Sequence, residues 1–212
     1  MDVVVIGGHG KIAMRLLRLL TDRGDTARGV VRKPEQAADL EAVGAEAIVC
    51  DIETEALTDA VSGADAVVFA AGAGPGSGPD RKRTVDYGGA VKLIEAAKAN
   101  GISRYAIVSS IGAHDPSVGD GDFRAYLEAK HDADEALIAS GLDYTIVRPG
   151  SLSDDPGTGL VELHTEMGHR ASVPRDDVAA VLAEVLVAAN TIGLAFELFE
   201  GETPVPEAVR AL

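Results

Sequence analysis

The chain has 212 residues, 46% hydrophobic and 25% charged, with a single cysteine, Cys50. This excludes a disordered or collagen-like chain, an intrachain disulfide and a cysteine-based metal cage, and suits one domain with its own core. Lysine and arginine total 19 against 34 acidic residues, a net charge of −15, so duplex nucleic acid and anionic membranes would repel it. A small anionic ligand in a local basic pocket remains open.

In chain order, residues 3–6 form a short β-branched run that predicts a strand. Residues 12–20 carry Ile12, Leu16, Leu17, Leu19 and Leu20 at helical spacing. A strand is expected over 27–31 and a helix over 34–43, with Pro34 in the tolerated first turn. A short strand over 47–50, a short helix over 53–61 and a buried strand over 66–70 follow. Residues 81–100 predict a long helix closed by Asn100-Gly101. Then come a strand over 105–109, a helix over 126–140 stopped by Gly141, and a strand over 144–147 ended by Pro149-Gly150. A helix over 176–190 and a strand over 195–199 complete the pattern. Apolar strands alternating with amphipathic helices predict a parallel sheet covered on both faces. Right-handed crossovers make it a doubly wound α/β sheet. No apolar run reaches the ~18 residues of a membrane span and no basic leader precedes the first strand, so a soluble cytoplasmic protein is expected.

Gly7-Gly8-His9-Gly10-Lys11-Ile12-Ala13 joins the first strand to the first helix. Glycines there let the backbone turn tightly and let a pyrophosphate approach the helix N-terminus. The alternative is a turn that merely packs helix on strand. Lys11 and His9 are each either phosphate contacts or ordinary solvated residues. The spacing is not a Walker A loop, since no serine or threonine follows Lys11. The second strand ends at Arg32-Lys33, where an acidic residue would favour NAD. Two cations there favour the 2′-phosphate of NADP(H), or else form a solvated basic turn. Asp51 follows the third strand, to accept from an adenine amino group or to cap the next segment. Ala70, Ala71 and Gly72 end the fourth strand with small residues that leave room for a ribose or pyrophosphate, or that simply pack closely.

Ser109-Ser110 ends the fifth strand, and Tyr126-Leu127-Glu128-Ala129-Lys130 lies on the next helix. The four-residue offset puts Tyr126 and Lys130 on one face, where an ammonium favours the phenolate. That suits general acid–base work; a half-buried tyrosine beside a solvated lysine is the plain alternative. The five histidines show no helical i, i+4 pair, so no metal site is expected.

Together the GGHGKIA loop, Arg32-Lys33, Asp51, the Ala70–Gly72 run, Ser109-Ser110, YLEAK and residues 140–152 resemble an atypical short-chain dehydrogenase/reductase. The closest subgroup is the small NAD(P)-binding, epimerase/dehydratase-like (NmrA-like) proteins. The resemblance spans nearly the whole chain. It implies one NAD(P)-binding Rossmann domain over residues 1–212, with a parallel sheet of about seven strands in three αβα layers. Gly7 and Gly10 then match a GxxGxxG loop, with Ala13 in the third glycine's place. Arg32 and Lys33 match positions that hold the 2′-phosphate of NADP. Ser110, Tyr126 and Lys130 match the family's Ser–Tyr–Lys set, Lys130 also reaching the nicotinamide ribose, and Pro149 matches the turn flanking the nicotinamide. Substrate selection would fall to loops 72–79, 113–122 and 150–172, near which His114, Arg124, His164 and His169 are polar candidates. The implied function is an NADP(H)-dependent oxidoreductase acting on a small carbonyl, quinone or flavin-like acceptor. The alternatives are an epimerase or dehydratase on a sugar-like substrate, and a non-catalytic NADP(H) sensor. A monomer or a homodimer paired through the two long helices fits equally.

Overall fold

The computed structural model describes every residue except Pro75, Met167, His169 and Arg170. His169 therefore lies outside the described residues. The chain runs β1 (Asp2–Ile6), α1 (Lys11–Arg23), β2 (Thr26–Val31), a 3₁₀ turn (Pro34–Gln36), α2 (Ala37–Glu41), β3 (Glu46–Val49) and β4 (Ala66–Phe69). It continues through α3 (Gly78–Arg81), a π-helical turn (Lys82–Gly88), α4 (Gly89–Ala99), β5 (Arg104–Val108), α5 (Gly121–Ile138) and β6 (Asp143–Pro149). The last part holds β7 (Ser151–Ser153), β8 (Leu160–His164), β9 (Ser172–Pro174), α6 (Arg175–Val185), β10 (Leu194–Glu200), β11 (Thr203–Pro204) and α7 (Val205–Arg210).

The main sheet has the order β11-β8-β10-β6-β5-β4-β1-β2-β3. From β3 to β10 every neighbouring pair is parallel, which is the expected Rossmann core. The sheet is wider than the expected seven strands, because β8 and β11 add antiparallel at one edge. Only Val161 of β8 is buried, so that strand lacks the continuous apolar run that marks β1 and β4. β7 and β9 form a separate parallel pair.

β1 shows how the layers form. Val3 and Val5 face Leu16, Leu17 and Leu20 of α1, with Val178 and Leu182 of α6 in the same cluster. Val4 and Ile6 point to the other face, toward Leu93 of α4 and Leu137 of α5. This is the two-residue period of a strand buried on both sides.

Several expected helices differ: α5 begins at Gly121 rather than at 126, α6 ends at Val185 rather than at 190, and two more differ in form. Residues 53–61 form turns instead, because side chains from the α4 region take their carbonyls. Lys92 Nζ donates to the Ile52 and Glu53 carbonyls, each at 2.8 Å, and Asn100 Nδ2 to Thr58 O at 2.9 Å. The 81–100 helix begins earlier, at Gly78, and contains the π turn. Such turns shift side-chain direction locally, and here both Lys82 and Asp86 end up buried.

Leu16 is fully buried between α1 and the sheet. Leu16→Ala is expected to cost about 2–5 kcal/mol. The check is a lower urea midpoint with an unchanged slope.

Candidate active site

β1 lies between β2 and β4, so the chain leaves β1 toward one side and returns on the other. Ligands of open α/β sheets bind in the crevice this creates at the strand C-termini. Two adjoining cavities occupy it, of about 300 Å³ and about 450 Å³. Ala70, Ala71 and Gly72 line both.

The first cavity is built on the glycine loop. Gly7 has φ +81°, and a Cβ on it would stand 2.7 Å from Ala71 Cα. A Cβ on Gly8 would stand 2.8 Å from Gly29 Cα. The loop therefore needs bare backbone. Gly10 caps α1, no described side chain caps the helix start by a hydrogen bond, and its first turn holds no acidic residue. This is a fitting cradle for a pyrophosphate, with free amides and the positive end of a 13-residue helix.

Gly7, His9, Gly10, Arg32, Asp51 and Gly72 all line this cavity. His9 Nε2 is 2.7 Å from Asp39. Asp51 lines the cavity and accepts from Glu53 N at 2.9 Å, so it caps the turn that follows from a position facing the cavity. Lys11 and Lys33 line neither cavity. Lys11 is drawn to Asp154, and Lys33 lies 3.7 Å from Glu35. Arg81 and Glu53, which sequence reasoning did not single out, line the first cavity. Glu53 accepts from Arg81 Nη2 and Thr84 Oγ1, both at 2.8 Å, and these bonds hold its carboxyl below the ordinary range. Arg32 is only 4.0 Å from that carboxylate and half exposed, so its guanidinium can turn to a ligand.

The second cavity holds Ile12, Tyr126 and Lys130. Loops 72–79, 113–122 and 150–172 contribute Gly74, Asp122 and Leu152. Tyr126 stacks on Phe123 at 6.0 Å. The helical spacing places Lys130 Nζ 5.9 Å from the Tyr126 ring centre. Lys130 is buried; its ammonium donates to Val108 O at 3.0 Å and lies 3.4 Å from Asp86 Oδ1. Burial alone would lower its pKa, but Tyr126, Asp86 and Asp134 outweigh that and raise it. Asp86 in turn accepts from Ala73 N at 3.0 Å, on the shared wall of the cavities. The sequence offered no signal for Asp86 beyond its place inside a helix.

Beneath lies a second ion pair. Asp134 accepts from Arg148 Nε at 3.1 Å and from Ser109 Oγ at 2.8 Å, and Arg148 Nη2 lies 3.0 Å from the same carboxylate. Burial pushes the Asp134 carboxyl up, while Arg148, Ser109 and Lys130 pull it down less strongly. The structure brings Ser109, not Ser110, to the cavity wall. The Ser110 hydroxyl donates to Ile111 O at 3.1 Å. Pro149 ends β6, where its carbonyl accepts from Ile111 N, and it lines neither cavity. His114 is exposed, Arg124 pairs with Glu128, and His164 lies beside Glu162; none of the three lines either cavity.

A family model described as NAD(P)H-binding matches residues 7–189, which include the glycine loop and both cavities. The chain belongs to this NAD(P)H-binding family. A Bacillus subtilis protein named uncharacterized sugar epimerase YhfK is 44% identical over 215 residues, covering 100% of both chains. A solved Bacillus halodurans chain, named a candidate NAD-dependent epimerase/dehydratase, is 42% identical with a TM-score of 0.96, covering 100% of both. The oxidoreductase ylbE of Lactococcus lactis is 29% identical with a TM-score of 0.88, covering 100% of this chain and 96% of that one. No helix among the described residues is long and apolar enough to cross a membrane.

The Asp134–Arg148 pair yields a pH prediction. Arg148→Met leaves a buried carboxylate without its main counter-charge, at an expected cost of about 3–5 kcal/mol near neutral pH. An acid whose folded pKa is raised contributes stability below its unfolded value and loses it as pH rises through the folded one. Removing Arg148 raises Asp134 further. The variant should therefore lie closest to the parent in acid and fall behind as pH rises, in urea midpoints taken across that range. Adding Asp134→Leu should recover most of the loss.

Proposed function

We propose that this protein is an NADP(H)-dependent oxidoreductase whose reducible substrate, a carbonyl, quinone or flavin-like acceptor, occupies the second cavity. One observation carries the reading: the phosphate cradle and the Tyr126–Lys130 pair sit in cavities that share the Ala70–Gly72 wall. A dinucleotide held in the first cavity by the glycine loop would have Tyr126 and Lys130 of the second available to its nicotinamide end. When bound, the nicotinamide supplies or takes up hydride.

The chain's own residues do the rest. The Gly7–Gly10 loop and the start of α1 hold the pyrophosphate, while Asp51 takes the adenine side. Arg32 holds the 2′-phosphate, with Arg81 occupied by Glu53 in the same cavity. For a carbonyl, Tyr126 gives its hydroxyl proton to the substrate oxygen as hydride reaches the carbon, so that the alcohol forms. The half-exposed phenolate then regains a proton from solvent. Lys130, kept protonated by its raised pKa, stabilises that phenolate from below the ring. Ser110 lies outside the cavity and receives no role. The loops 72–79, 113–122 and 150–172 select the substrate through Gly74, Asp122 and Leu152.

Epimerase or dehydratase chemistry is the second reading, favoured by the names of two relatives. It predicts a nicotinamide retained tightly through purification, visible in the absorbance spectrum.

Calorimetric titration with NADPH, NADP, NADH and NAD tests the cofactor assignment. Arg32→Gln should weaken NADPH binding roughly 10- to 100-fold, the worth of one charge-assisted phosphate contact, and leave NADH nearly unchanged. Equal losses for both would remove the 2′-phosphate role. In an acceptor screen, Tyr126→Phe should lower turnover about 10²–10⁴-fold while NADPH still binds. Full activity in that variant would show that the tyrosine is not the acid. The absence of any turnover in the parent, with different affinities for NADPH and NADP, would point to a sensor.

A further inference from the structure

The described buried cations are each compensated, with one exception. Lys130 has Asp86 and the Val108 carbonyl, and Arg148 has Asp134. Arg104 donates to Asp143 O, Thr145 Oγ1 and Val185 O. Lys82 is 8% exposed and lines the second cavity. Its ammonium lies 5.8 Å from the Tyr126 ring centre, and no described residue gives it a hydrogen bond or an ion pair. Its nitrogen is not sealed from the cavity, so an anion held there can reach it. Asp86, one turn along the helix, accepts from Ala73 N through Oδ2, while its Oδ1 lies 3.4 Å from Lys130 and makes no hydrogen bond with a described residue. Asp122 is exposed at the start of α5 and forms no pair with Lys82.

The glycine cradle and Arg32 lie in the first cavity, which Lys82 does not line, and the nicotinamide end that would reach Tyr126 carries no negative charge. That leaves the other occupant of the second cavity as an anionic partner for Lys82. Among the described residues the cavity lining holds no arginine, asparagine or glutamine, which suits a monoanion on Lys82 better than a phosphate, which takes several donors. The remaining walls include Ile12, Val108, Phe123 and Leu152, an apolar surface for the body of the ligand.

We propose that Lys82 is the carboxylate-binding residue of the second cavity and that the substrate is an oxo acid. Its carboxylate rests on Lys82, its carbonyl faces Tyr126, and its apolar body lies against Ile12 and Leu152. This rests on the oxidoreductase reading above and names its substrate class. Lys82 and Lys130 flank the same phenol ring at similar distances, so one cation serves the substrate and the other the proton donor.

The test compares para-formylbenzoate with its methyl ester, two probes that share ring and aldehyde and differ in charge. Binding to the protein–NADP complex is measured by calorimetry, and NADPH oxidation by absorbance. The acid should bind at least roughly tenfold tighter than the ester. Lys82→Met should bring the two close to parity, and Lys82→Arg should restore the preference. Any of four results overturns the proposal: parity in the parent, no binding of the acid at millimolar concentration, a preference that survives in Lys82→Met, or an equal loss of NADPH affinity in that variant. The last would make Lys82 a nucleotide ligand. A preference for the acid in binding without NADPH oxidation supports the carboxylate site and counts against the oxidoreductase reading alone.

Discussion

Gly7 and Ala71 approach so closely that a single added carbon would collide with backbone. Parallel pairing of β1 with β4 brings the two strand ends side by side, and Ala70 N donates to Ile6 O at 3.0 Å across the junction. The loop after β1 must therefore be bare, and the one after β4 must be small. The helix start is then open to an anion on one side, and the Ala70–Gly72 wall is thin enough to serve a second cavity on the other. Both cavities exist because this junction excludes side chains.

The second cavity rests on a layer of buried charge that is balanced below and open above. Asp86 with Lys130 and Asp134 with Arg148 make two cations and two anions within the fold. Each alone would be expensive to bury, and the opposite charges offset one another, although Asp86 Oδ1 and Asp134 Oδ1 make no hydrogen bond with a described residue. The arrangement fixes Lys130 under Tyr126 and ties the helical segment 82–88 to α5 and to the loop after β4. Lys82 stands at the start of that segment with its charge unmatched, next to the same ring.

The relatives bear names from both epimerase and oxidoreductase chemistry. That spread is expected where one scaffold hosts several reactions and the site decides between them. In the proposed reading the features that would decide are the cation at the end of β2, the phenol on α5 and the apolar lining around Lys82. None of them belongs to the fold as such. They are side chains mounted on the loops and helix ends that the sheet holds in place.

Much of this was legible in the residues. Continuous runs such as Val3–Ile6 and Ala66–Phe69 mark strands buried on both faces, because no polar residue is tolerated there. The glycine loop, Arg32, Asp51 and the Tyr126–Lys130 spacing are local patterns, and local geometry keeps such neighbours together wherever the chain goes. Distant partnerships were not legible. Lys92 and Asn100 take the carbonyls that a helix over 53–61 would have used, and β8 and β11 are strands only because β10 offers them an edge. Lys11 and Lys33 turn to nearby carboxylates instead of the cavity. Asp86, Asp134 and Arg148 look like ordinary polar residues until the fold buries them against one another. The sequence by itself determined the alternation of strands and helices, the class of nucleotide-binding loop and the tyrosine–lysine pair, since each depends on residues close along the chain. Only the tertiary structure decided which cations face the cavities and which charge stays unmatched, because both depend on contacts between segments that the sequence holds far apart.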